Sequence, residues 1–172
     1  MIARLRVMKV RKVRKVLVLG LLGLTVLAGC GVAGVWAASR GLYGCTFRDE
    51  ALAEELAAFA ILDVRPPDAP KSGNRYSNCD EDDGFAAAGQ HYEHTGPREE
   101  LLAFYRAMAA KDGWQPGRDR RDGLCFSKPY GTVTAHLSVW FPSSYGMEGK
   151  PRANAEEYGL EVTASHDGSA WC

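Results

Sequence analysis

Hydrophobic positions follow three rhythms along this 172-residue chain. From Val16 to Ala38 the rhythm is continuous, since VLVLGLLGLTVLAGCGVAGVWAA holds 23 positions without a charged side chain. At about 1.5 Å of helical rise per residue, that length crosses a hydrocarbon layer of roughly 30 Å with some tilt. A helix also pairs its backbone amides internally, as lipid requires. Over Asp49–Ala60 the rhythm becomes helical, with Leu52, Leu56 and Phe59 on one side and Thr46 with Asp49 as a short capping box. The helix is expected to stop before Ile61–Val64, and Pro66-Pro67 then forces an extended path.

Asp68–Gly84 has no apolar period and reads as a polar, turn-rich loop, followed by a strand over Phe85–Glu93. The next helix has the clearest signals. Pro97 suits a first helical position, Glu99 and Glu100 suit the positive helix start, and Lys111 with Gly113 marks the end. Leu101, Leu102, Phe104, Tyr105 and Met108 make its apolar face, and Trp114 is expected to cover one end of the core.

The last third alternates. Leu124–Lys128 and Gly131–Phe141 flank an expected Pro129-Tyr130 turn, and Val133, Ala135, Leu137, Val139 and Phe141 interleave with Thr132, Thr134, His136, Ser138 and Trp140. Tyr158, Leu160, Val162 and Ala164 repeat the pattern after the long linker Pro142–Glu157. Period two predicts strands with one buried and one wetter face. The expected fold is a two-layer α+β domain over residues 39–172, with one or two helices on a mainly antiparallel sheet, preceded by a single N-terminal transmembrane helix.

Charge gives this layout a direction. Lys+Arg and Asp+Glu balance at 21 each, but residues 1–15 hold seven basic groups and no acid, leaving 14 basic against 21 acidic groups after Lys15. Positive charge stays on the cytoplasmic side, so residues 1–15 are expected inside, 16–38 in the membrane and 39–172 outside, with Trp36 near the outer interface. An acidic body argues against nucleic acid as a partner. Gly29, Gly31 and Gly34 spell G-x-G-x-x-G, but no strand precedes them and a dinucleotide loop has no place in lipid. Gly29, Ala33 and Ala37 recur every four residues, a spacing that lets membrane helices approach closely.

Leu27-Ala28-Gly29-Cys30 resembles the lipobox of bacterial lipoproteins, which implies cleavage before Cys30 and lipid on its sulfur. Gly31–Ala38 stays apolar where a polar tether would follow, so the uncleaved anchor is the leading reading. Both place the body outside. The pairs Phe104-Tyr105-Arg106 and Gly113-Trp114, with the charged N-terminus, the single span and the scattered cysteines, resemble small membrane-anchored envelope proteins of actinobacteria. The Arg-over-Lys ratio, 14 to 7, fits a GC-rich genome, and the resemblance implies no activity.

Cys45, Cys79, Cys125 and Cys172 lie 34, 46 and 47 positions apart, too far for paired zinc ligands. Two disulfides are expected in an oxidising compartment. Of three connectivities, the expected one is Cys79–Cys125 with Cys45–Cys172, the second tying the body's ends together.

Candidate chemistry is sparse. Asp80, Glu81, Asp82 and Asp83 could offer oxygens to Ca²⁺, but an EF-hand register from Asn78 puts Asp83 where glycine belongs and Gly89 where glutamate belongs. A solvated acidic turn is the simpler reading. His91 and Glu93 would share one face of a strand, with His94 on the other, as a surface pair or an acid–base pair. Neither H-E-x-x-H, G-x-S-x-G nor S-x-x-K is present. Cys125 as a thiol nucleophile with His136 as base competes poorly with a disulfide, and Arg118, Arg120 and Arg121 mix with Asp119 and Asp122 as a solvated turn does. The expectation is a non-enzymatic interaction or structural module of the cell envelope, with an envelope protein as partner and no cofactor. The alternatives are a small-ligand or calcium-binding domain, and an envelope hydrolase using His91 and Glu93.

Overall fold

Thr46 opens the first helix by the capping box its sequence announces. Its backbone N–H donates to Asp49 Oδ2 at 2.8 Å, and its hydroxyl oxygen accepts from the Arg48 N–H at 3.2 Å. The computed structural model describes residues 44–119, 123–147, 154–168 and 172, so the 16–38 span and Cys30 lie outside the described residues. Among the described residues no helix is long and apolar enough to cross a membrane. Helix α1, Phe47–Ala57, buries Leu52, Ala53 and Leu56, and gives way to a 3-10 turn, Ala60–Asp63, that buries Ile61 and Leu62. Helix α2, Arg98–Lys111, buries Leu101, Tyr105 and Ala109, with Pro97 as its N-cap rather than its first helical residue.

Six strands follow the order β1-β2-β6-β5-β4-β3 in one sheet, and every neighbouring pair is antiparallel. They are β1 Lys71–Asp80, β2 Phe85–His94, β3 Gln115–Pro116, β4 Leu124–Tyr130, β5 Val133–Trp140 and β6 Glu156–Ala164. The α+β expectation holds, with both helices on one face. That face contributes Ala86, Ala88, Tyr92, Phe126, Leu137, Val139, Tyr158, Leu160 and Val162 to the core. Each fully buried leucine or aromatic contributes roughly 1.5–3 kcal/mol by leaving water. Trp114 caps the core as expected, 2% exposed, against Phe59 at 5.7 Å between ring centroids.

Three buried tyrosines close the polar accounts of this layer. The Tyr92 hydroxyl donates to the Leu62 carbonyl, and the Tyr105 hydroxyl donates to the Val64 carbonyl at 2.9 Å. Tyr105 and Tyr158 share a hydrogen bond of 3.0 Å. The 3-10 turn thus ends on carbonyls that receive phenol donors instead of water. Burial pushes all three phenols up, so each keeps the proton it donates.

Three expectations are corrected. Asp68–Gly84 is not all loop, because Lys71–Asp80 forms the edge strand β1. An edge strand pairs on one side only, and a register shift between Ser72 and Tyr76 further relaxes its pattern. The β4–β5 turn is Gly131-Thr132, and Pro129 and Tyr130 belong to β4. Gly131 has φ +54°, which a two-residue hairpin of right-handed twist requires at this position.

The third correction is the disulfide pairing. Cys45 bonds Cys79 and Cys125 bonds Cys172, with Cα–Cα distances of 5.9 and 5.5 Å. Cys79 lies in register with Ala86 on the helix-covered face, beside the start of α1. Cys125 pairs with Ser138 on the opposite face, with β2, β6 and β5 between β1 and β4. A Cys79–Cys125 bond would have to pass through the sheet and span it. Closing loops of this size adds roughly 2–4 kcal/mol per bridge in the chain-entropy picture.

Candidate binding cleft on the second face of the sheet

Strand alternation sends every other side chain to the face away from the helices. There the register aligns one row of residues, Tyr76, Gly89, Glu161, Ser138 and Cys125, across five strands. The adjoining row is His91, Gly159 and Trp140. Glycine in a strand interior weakens it unless another group needs the space. Both glycines meet that condition, since a Cβ at Gly89 would collide with the Tyr76 hydroxyl and one at Gly159 with the Trp140 indole. Each aromatic ring lies over bare backbone of the neighbouring strand, an arrangement that also shields the glycine.

Lying over Gly89 lets the Tyr76 hydroxyl reach β6, where it donates to Glu161 Oε2 at 2.6 Å. Lying over Gly159 sets the Trp140 ring edge-on to His91, with centroids 5.3 Å apart. His91 Nδ1 is 3.3 Å from Glu157 Oε1, which also accepts from the Ser72 hydroxyl. Beyond Trp140 the chain turns through Pro142–Tyr145 and reverses at Gly146, φ +71°, bringing Tyr145 and Met147 to the rim. Tyr145 stands at 85° to the Trp140 ring, 6.2 Å away.

Beside Trp140 and Glu161 lies a cleft of about 300 Å³, lined by Ser138, Trp140, Tyr145, Met147, Glu161 and the Cys125–Cys172 disulfide among others. Its walls are predominantly apolar. Glu161 is the one acidic side chain among the described lining residues. Burial pushes that carboxyl up, the Tyr76 hydrogen bond and His91 draw it down in part, and Asp80 opposes them. Burial and the Glu161 charge hold the Tyr76 phenol well above its usual range, so it remains the donor. The Trp140 indole N–H is buried without a hydrogen-bond partner among the described residues.

The residues that sequence singled out are dispersed. Asp80 closes the β1–β2 turn, its Oδ1 accepting the N–H groups of Asp82 at 2.9 Å and Asp83 at 3.2 Å, and Glu81, Asp82 and Asp83 are exposed. Among the described residues no group of three His, Cys, Asp or Glu side chains is placed to hold a metal ion. His91 and Glu93 share the second face, and the carboxylate beside the imidazole is Glu157. His94 is buried on the other face, 8% exposed, in register with Glu156, whose carboxylate pairs with Arg98. His136 is half-buried, and burial pushes its imidazole down. Cys125 is no thiol nucleophile, because its sulfur is bonded to Cys172. Asp119 pairs with Arg106 at 3.3 Å, while Arg120, Arg121 and Asp122 lie outside the described residues.

No family model matches the chain, and neither a curated protein nor a solved structure matches it.

Proposed function

We propose that the protein is a membrane-anchored binding module with its body outside the cytoplasmic membrane, which holds a small apolar or aromatic group in the second-face cleft and performs no covalent chemistry on it. The observation that carries this reading is the cleft itself: about 300 Å³, predominantly apolar, with one acidic side chain, Glu161, among its described lining residues. Small-molecule sites have this make-up, apolar walls with a few placed polar groups. Its floor stands on β5 and β6, the sheet's interior strands, so Trp140 and Glu161 are positioned before any ligand arrives. The outside location is supported by the seven basic residues before the uncharged 16–38 span and by two disulfides in the body.

The test uses the full-length chain labelled with 5-fluorotryptophan in phosphatidylcholine nanodiscs, with the Trp140 resonance assigned from Trp140→Phe. Titration with 2-phenylethanol is expected to move the Trp140 signal saturably and to leave the other three tryptophans in place. A Ser138→Phe substitution, which fills the floor, should abolish the shift at an unchanged melting temperature. An unmoved Trp140 signal, or parallel drift of all four tryptophans, overturns the cleft as a binding site. External protease that digests the body on intact cells checks the location, and a body reached only after lysis refutes it.

A further inference from the structure

We infer that the cleft selects organic ammonium ions carrying an aromatic or apolar body over neutral molecules of the same shape. This rests on the cleft being the binding site, and it names the ligand class.

The first argument is charge. The strand positions on the second face hold Asp80, Glu93, Glu157 and Glu161, and no lysine or arginine. Glu93 and Glu157 stand directly opposite each other across β2 and β6, a pairing of like charges that a sheet disfavours. His91 Nδ1 stands 3.3 Å from Glu157, and Tyr76 serves Glu161 with a neutral hydroxyl. Among the described residues of the cleft lining there is likewise no cationic side chain to match Glu161. An anionic ligand would meet repulsion there. A neutral ligand would cover the carboxyl without supplying a counter-charge, and burying an ionised carboxylate without one is costly. An ammonium removes that penalty and forms a charge-assisted hydrogen bond.

The second argument is shape and polarisability. Tyr76 donates to Glu161 Oε2, and Glu161 itself lines the cleft, where its carboxyl is the acceptor for an N–H donor. The near-perpendicular Trp140 and Tyr145 rings form a corner beside that carboxyl. Ring faces attract cations, with indole the strongest. Met147 and the Cys125–Cys172 sulfurs supply soft walls for an aromatic or alkyl body. A carboxylate, an aromatic corner and an apolar enclosure fit the parts of an aralkyl ammonium in one small volume.

The experiment compares 2-phenylethylammonium with 2-phenylethanol at pH 7.5, following the Trp140 fluorine signal of the full-length chain in the same nanodiscs. The ammonium is expected to bind about tenfold more tightly, the scale of one hydrogen bond to a charged group. Glu161→Gln keeps an acceptor for Tyr76 and removes the charge, so on that variant the ammonium and the alcohol should bind with equal affinity. Equal affinities of the two probes in the unaltered chain overturn the cation preference while the binding reading stands. Selectivity that survives Glu161→Gln overturns it as well, because the charge preference would then come from the bilayer or another site. If neither probe moves Trp140, both readings fall together.

Discussion

The two faces of the sheet use the same residue type to different ends. Under the helices, Tyr92, Tyr105 and Tyr158 direct their hydroxyls at the Leu62 and Val64 carbonyls and at one another, so the polar atoms seal the layer. On the second face, Tyr76 crosses a glycine to hold a carboxyl inside a cleft, and the Trp140 N–H goes without a partner among the described residues. The first arrangement spends its donors on folding. The second keeps an acid, an indole and apolar walls around an unfilled volume, which adds little to stability and suits recognition. Local consistency marks the structural face, and departures from it mark the face proposed for binding.

Substitution of neighbours on opposite faces gives the largest test of this contrast. Leu137 is fully buried under the helices, and Leu137→Ala is expected to remove about 2–5 kcal/mol in denaturant melts. Ser138→Ala, one residue on and facing the cleft, should change stability by no more than about 0.5 kcal/mol. Equal losses would erase the distinction between the faces.

Next in size is Gly159→Ala, whose methyl group would meet the Trp140 indole and is expected to destabilise by about 1–3 kcal/mol. In a Trp140→Ala background most of that penalty should vanish. A double-mutant cycle reads the coupling, and simple additivity would show that the indole does not rest on Gly159.

The smallest effect has the most informative sign. The Glu161 carboxyl is raised by burial, so folding favours its protonated form. Its contribution is fully present below the unfolded carboxyl range and declines as pH rises through the folded value. Tyr76, His91 and Asp80 are the groups that modulate it, and none reverses the direction. Glu161→Gln should remove this decline, leaving the protein as stable or slightly more stable at neutral pH, within about 1 kcal/mol. Glu156, on the helix-covered face, runs the other way. Burial pushes it up, but hydrogen bonds from Arg98 and Ser143 outweigh that and hold it below its usual range. Its stabilisation is present above the unfolded value and lost as pH falls through the folded one. Thermal melts across acid pH on Glu161→Gln and Glu156→Gln should therefore tilt in opposite directions, and parallel curves would contradict the assigned environments.

Some of this was legible in the chain. The Thr46–Asp49 box, the second helix and the alternation of Val133–Phe141 and Tyr158–Ala164 are local signals, each set by neighbours a few positions apart. β1 was not legible, because an edge strand with a register shift has no strict period to display. The cleft was not legible either, since its lining comes from β4, β5, β6, the turn after β5 and Cys172. One trace of it existed: Gly89 and Gly159 sit inside strand patterns, where a glycine signals close approach of another group.

Sequence by itself determined the layered α+β architecture and the alternating faces of Val133–Phe141 and Tyr158–Ala164, since both follow from periodicity within a segment. It also predicts, by unbroken apolar length and basic flank, an N-terminal anchor with the body outside. Tertiary structure alone decided which cysteines meet and which carboxyl is buried. Those outcomes depend on strand order and face, and strand order is chosen by packing between segments that are remote in the chain.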